Sequence, residues 1–137
     1  MAPKHEPQGF RMTGAAELFD LESKCNFMGQ KVLENKAMGP TVSQSQVSHY
    51  NSADNRCYVQ LRSAENGLSS RSLFDGQTGE ELASIYCKDR WKCSADVTDE
   101  SLKHMVKDPD TPSEFEVQNL MDKFVHADRN PQREDTP

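Results

Sequence analysis

The sequence predicts an α+β fold, a four-stranded antiparallel meander sheet covered by an N-terminal and a C-terminal helix. Three observations predict it. Apolar residues recur at helical spacing near both ends of the chain. Between them lie runs that alternate apolar and polar with a period of two, the pattern of half-buried strands. Clusters of Asn, Asp and Gly separate those runs at short intervals, which suits antiparallel neighbours rather than crossovers. One sheet face shared by both helices is the economical way to bury these stripes.

The first helix rests on Leu18, Leu21, Cys25, Met28 and Val32, which fall on one face. The spacing predicts a helix from Ala15 to Ala37, with Thr13 as N-cap and Gly39-Pro40 as the stop. Gly29 inside it costs about 1 kcal/mol relative to Ala, so a kink or a close contact is expected there. Thr41 to Tyr50 reads as a weak strand, and Asn51 to Asn55 as a turn. Arg56 to Ser63 alternates cleanly, with Cys57, Val59 and Leu61 on one side and Tyr58, Gln60 and Arg62 on the other. These two runs form a hairpin. Ala64 to Ser70, containing Asn66-Gly67, reads as a loop. A short strand follows around Leu73 and Phe74, then a turn over Asp75–Gly79. Glu81 to Lys88 is the fourth strand, carrying Ala83, Ile85 and Cys87 on one side.

Thr98 opens a short helical stretch with Leu102, Met105 and Val106, which Pro109 ends. Thr111-Pro112-Ser113-Glu114 reads as a capping box with Pro at the first helical position. Behind it Val117, Leu120, Met121, Phe124 and Val125 form the apolar stripe of a helix from Pro112 to His126. The organisation is a flexible N-terminal segment (1–12), a single α+β domain (13–128) and a polar C-terminal tail (129–137).

Composition narrows the function classes. Hydrophobic residues make up only 34% of the chain, so the core is thin and staples matter. The net charge is −6 and no stretch is dense in Lys or Arg, which argues against nucleic acid and anionic membranes as partners. No apolar run approaches the roughly 20 residues of a membrane span. The N-terminus has no apolar core of a signal peptide, which leaves a cytosolic protein and a mature exported form both open.

Four cysteines, Cys25, Cys57, Cys87 and Cys93, permit two disulfides or four reduced thiols. Cys25 lies on the apolar stripe of the first helix and Cys57 on the apolar side of its strand. Both point into the helix–sheet interface, so a Cys25–Cys57 bridge is the pairing geometry favours. Such a bridge stabilises by roughly 3–4 kcal/mol in the chain-entropy account. Cys87 and Cys93 then close a small loop over Lys88-Asp89-Arg90-Trp91-Lys92.

Ser48-His49-Tyr50-Asn51, Arg56-Cys57-Tyr58-Val59, Leu73-Phe74-Asp75-Gly76, Glu81-Leu82-Ala83 and Ser113-Glu114-Phe115-Glu116 together carry a resemblance. The chain from Cys25 to Val125 resembles a family of small exported bacterial proteins of unassigned function. Members share a Cys in a first helix, an H-Y-N hairpin entering a Cys-bearing strand, a short strand entering an Asp-centred turn, and a final helix opening with a Ser, Glu and Phe segment. The resemblance implies an extracytoplasmic address and agrees with the Cys25–Cys57 pairing; it supplies no catalytic residue.

Candidates for chemistry are few. His49 and Tyr50 could form an acid–base pair, but adjacent strand residues point to opposite faces, and a strand end feeding a turn explains them. Cys87, Cys93 and His104 or His126 suggest zinc, yet five residues between the cysteines are looser than a zinc knuckle, and a disulfide fits better. A redox thiol would want C-x-x-C at a helix start. Asp108, Asp110, Glu114 and Glu116 suggest calcium, but Pro109 and Pro112 break an EF-hand ladder, and acids before a helix suit its dipole. No G-x-S-x-G elbow or phosphate loop is present, no catalytic residue is assigned and no cofactor is expected. Arg90, Trp91 and Lys92, an aromatic among cations, form the best candidate interaction loop, although Trp91 could also fold back onto the core.

The reading is a non-enzymatic, extracytoplasmic interaction or accessory module stapled by disulfides, with a protein partner. One alternative is a small hydrolase-type enzyme whose site assembles only in three dimensions, around His49 and a carboxylate. The other is a cytosolic protein whose reduced thiols bind a metal.

Overall fold

The computed structural model describes residues 14–89 and 91–126. The expected Thr13 cap, the segment 1–12, Arg90 and the tail 129–137 lie outside the described residues. Helix α1 spans Ala15–Asn35. Five strands follow, β1 (Ser43–Asn51), β2 (Arg56–Glu65), β3 (Leu68–Asp75), β4 (Glu81–Lys88) and β5 (Lys92–Val97). A 3-10 segment, Glu100–Met105, leads to helix α2, Glu114–His126. The sheet is an antiparallel meander in the order β1-β2-β3-β4-β5.

The α+β meander is therefore present, with five strands instead of four. The fifth, Lys92–Val97, has the composition KCSADV, which carries little intrinsic strand preference. It forms because Cys93, Ala95 and Val97 alternate against Cys87, Ile85 and Ala83 of β4, so tertiary pairing overrides propensity. The Asn66-Gly67 region is also tighter than the expected loop. Both residues take positive φ, 42° and 84°, as a two-residue type I′ turn requires, and β2 and β3 run right up to it. Helix α2 starts two residues later than expected. Ser113 Oγ accepts the Glu116 N–H (3.1 Å) and Glu116 returns a bond to the Ser113 N–H (3.1 Å), so the box is Ser113/Glu116 and not Thr111/Glu114. The bond from the Lys107 N–H first, and then the one from the Ser113 N–H, hold the Glu116 carboxyl below its usual value.

The two helices do not share one sheet face. Alternate residues of β2 are buried on both sides. Cys57, Val59 and Leu61 pack with Cys25 and Val32 of α1, together with Tyr50 and Phe74. Tyr58 packs in a second core with Leu73, Ile85 and Val97 beneath Val117, Leu120 and Met121 of α2. Tyr58 and Gln60 are polar-tipped and read as a solvent side, yet both are buried. Each satisfies its polar atoms inside: Tyr58 O–H donates to Asp54 at 2.6 Å, and Gln60 accepts from Arg62 Nε at 3.1 Å. A register slip between Leu73 and Phe74 lets consecutive Leu82 and Ala83 both turn into the α2 core.

The α1 side is closely fitted. A Cβ on Gly29 would overlap the end of the Gln46 side chain, and one on Gly76 would meet Cys57 Sγ at 2.6 Å. Glycine at these positions lets helix, strand and disulfide approach. Among the described residues no helix is long and apolar enough to cross a membrane.

Candidate functional site

The α1 core takes its residues from β1, β2 and a single position of β3, Phe74. The register shows what the same sheet face presents beyond them. Ser63 pairs with Ser70, Ser70 with Tyr86, and Tyr86 with Ser94. Alongside run Ser72, Ser84 and Asp96, and on the other side Leu68, Lys88 and Lys92. Directly paired residues of antiparallel strands project to one side. The outer half of this face is thus a field of hydroxyls around one aromatic, with Lys88 and Lys92 at one end and the carboxylates of Glu65 and Asp96 on its margins.

This half is open. Tyr86 is 54% exposed at its centre, and Leu68 and Met38 are exposed beside it. A hollow of about 500 Å³ is lined by Leu68, Tyr86, Lys88, Lys92, Cys93 and Ser94. It shares Leu68 and Tyr86 with a second groove that reaches Met38 and Val42, and that groove shares Ser63 and Ser70 with a third under Lys36. The result is one shallow trough from the end of α1 to the β4–β5 hairpin. The opposite side of β4 and β5 is covered by α2.

The hairpin at the trough's end is braced. Cys87 and Cys93 are cross-strand partners joined by a disulfide, with Cα atoms 4.0 Å apart. Asp89 donates its N–H to the Gly67 carbonyl (2.8 Å), which ties the hairpin tip to the β2–β3 turn. Trp91 donates its N–H to the Asp89 carbonyl (2.7 Å). The Trp91 side chain does not fold back onto the core; it is 80% exposed. Lys92 stands directly opposite Lys88, and among the described residues neither makes a salt bridge. Arg90, the third member of the expected interaction loop, lies outside the described residues.

The other candidates go elsewhere. Cys25 and Cys57 form the buried second disulfide, Cα–Cα 5.4 Å, and contribute only to the core. His49 Nδ1 meets Glu22 Oε2 at 2.7 Å, and the same oxygen accepts the Tyr50 N–H at 3.1 Å. Tyr50 faces the α1 core and its hydroxyl donates to Asn55. Ser48, the neighbouring hydroxyl, donates to Asn26 on α1. The His49–Glu22 pair thus ties β1 to α1. Asn51 Oδ1 accepts the Ala53 N–H, as a turn-forming Asn does.

The acids before α2 serve the chain locally. Asp108 accepts the Asp110 N–H and the Thr111 hydroxyl, and Glu116 accepts two backbone N–H groups. The potential ligand group among the described residues is Cys87, Cys93 and Glu114, without His104 or His126, and its two sulfurs are joined to each other.

One polar cluster has no signature in the sequence. Arg56 Nε bonds Asp75 Oδ2 at 3.0 Å, its Nη1 lies 3.7 Å from Asp99, and its guanidinium lies over the Tyr58 ring. Desolvation opposes the Arg56 charge, but the Asp75 and Tyr58 bonds outweigh it and hold the pKa above the ordinary arginine range. Burial first, and then the Asp54 bond, push the Tyr58 hydroxyl well above the tyrosine range. Tyr58 also stacks on Phe124 of α2 with centroids 4.3 Å apart. Asp54, Arg56, Tyr58 and Phe124 line a cleft of about 640 Å³ together with His104 and Lys123. Asp75 and Asp99 are far from Arg56 in sequence, so no local spacing announces the cluster. Its groups are committed to one another, and it ties β2, the Asp75 turn and the 3-10 segment together.

Comparison with protein families, with curated proteins and with solved structures finds no match to this chain.

Proposed function

We propose that this chain is a non-enzymatic interaction module that works outside the cytoplasm and engages a protein partner through the uncovered half of its sheet. The observation that carries the reading is the half-covered sheet itself. A chain with a thin core leaves β3–β5 bare on one side and arranges Tyr86, Leu68 and Met38 along the bare part. Aromatic residues on a rigid surface are the usual anchors of interfaces. The brace supports the same reading, since a disulfide in a short hairpin fixes an exposed Trp91 at the trough's end and lowers the entropy lost on docking. Two disulfides suit an oxidising compartment, which supports the exported address.

Site-specific photo-crosslinking in the native source tests this. A benzophenone side chain at Tyr86 or Ser94 is expected to give a discrete protein adduct, and one at Phe27, exposed on α1, is expected to give none. Equal labelling from both surfaces, or none from either, would overturn the proposal.

A further inference from the structure

We propose that the partner presents an acidic, extended segment that adds as a sixth strand to the outer edge of β5, with its carboxylates toward Lys92 and Lys88. The inference rests on the interaction reading above and names the chemistry of its partner.

The two edges of the sheet differ. At β1 the edge is occupied: Glu22 accepts the Tyr50 N–H, Gln46 and Ser48 bond Asn26, and Gly29 brings the helix against the strand. At β5, among the described residues, no helix lies along the edge; α2 covers the inner face through Val97, with Ala95 packed alongside. The strand order ends at β5. Close Cα atoms mark the Cys87/Cys93 pair as a non-hydrogen-bonded pair of the antiparallel ladder. The alternation then makes Ile85/Ala95 another such pair, so the Ala95 N–H and C=O point outward, ready to accept a strand.

Charge selects the strand. The chain carries a net charge of −6, yet the hairpin read from the sequence holds Lys88, Arg90 and Lys92 against Asp89 alone. Lys88 and Lys92 face each other directly, and like charges so placed are destabilising until an anion lies between or beside them. The hollow that they share with Tyr86, Leu68 and Ser94 is lined by no carboxylate. A carboxylate on an added strand lies beside Lys92, with Lys88 one strand further in, while an apolar residue two positions along reaches the Tyr86–Leu68 floor. The backbone groups of the edge favour a peptide over an anionic polysaccharide, which has no strand to offer.

The test is selection of a random peptide display library on the intact, oxidised protein, with a sulfated oligosaccharide as a parallel probe. The expected result is enrichment of acidic, strand-forming sequences. Their affinity should fall at least tenfold with Lys88→Glu plus Lys92→Glu, fall with added salt, and slow hydrogen exchange at the Ala95 amide. Enrichment of neutral or basic peptides would overturn the acidic segment while leaving the interaction face standing. Peptides indifferent to the lysine pair, sulfated oligosaccharide binding without any peptide, or no enrichment at all would overturn the proposal. The crosslinks from Tyr86 then decide separately whether the face is an interface.

Discussion

The two disulfides sit in contrasting surroundings. Cys25 and Cys57 are each 1% exposed and join α1 to β2 across a sequence separation of 32. Cys87 and Cys93 are half-buried near the sheet edge and close a separation of 6 within one hairpin. The loop-closure entropy removed from the unfolded chain grows with loop length, so the first bond contributes more to stability. The second constrains a hairpin that local pairing already forms, and its effect is to hold Trp91 and the two lysines in place. One staple makes the thin core viable; the other shapes a surface.

Breaking each in turn measures that difference. Cys25→Ala with Cys57→Ala is expected to destabilise by roughly 3–4 kcal/mol, read as a lower urea midpoint. Cys87→Ala with Cys93→Ala should remove about 2 kcal/mol by the same account. Equal losses would break the comparison. Gly76→Ala sharpens it, because the added Cβ would lie 2.6 Å from Cys57 Sγ, and overpacking of this kind costs about 1–3 kcal/mol. The Gly29→Ala change should cost less, since it meets the movable end of the Gln46 side chain.

Tyr58 gives a pH test of the core on the other face. Its hydroxyl is held above the ordinary range in the folded state. The stabilisation is therefore complete below the unfolded tyrosine pKa of about 10 and is lost as pH rises from there toward the folded value. Unfolding followed from neutral pH to pH above about 10 should show stability falling, and Tyr58→Phe should flatten that fall. At neutral pH, Tyr58→Phe costs about 1 kcal/mol through the Asp54 bond. The smallest expected effect is that of Trp91→Ala, within about 0.5 kcal/mol in stability, because the side chain is exposed. It should register in partner binding instead.

Much of this was legible in the sequence, and the misses have physical causes. The stripes of α1 and α2 and the alternation of β2 and β4 were readable because their periods are strict. The Cys25–Cys57 bond followed from placing each residue on an apolar side. β5 was missed because its residues have little strand preference and depend on the β4 partner. The split of the helices onto opposite faces was missed because Tyr58 and Gln60 look like a wet side until Asp54, Arg62 and Met121 are found around them. The Trp91 loop was visible as a motif, but the bare trough beside it was not. That trough depends on how many strands α1 covers, and no single segment encodes it. The Arg56–Asp75–Asp99 tie is likewise a product of the fold.

Stepwise reduction of the protein isolated under thiol-blocking conditions, with intact mass and mapped alkylation, tests the division between staple and surface most directly. The account predicts two disulfides at the outset, with Cys87–Cys93 opening first under mild reductant while the sheltered Cys25–Cys57 bond and the fold persist. Simultaneous loss of both bonds with unfolding, or four free thiols in protein taken from its native compartment, would contradict it.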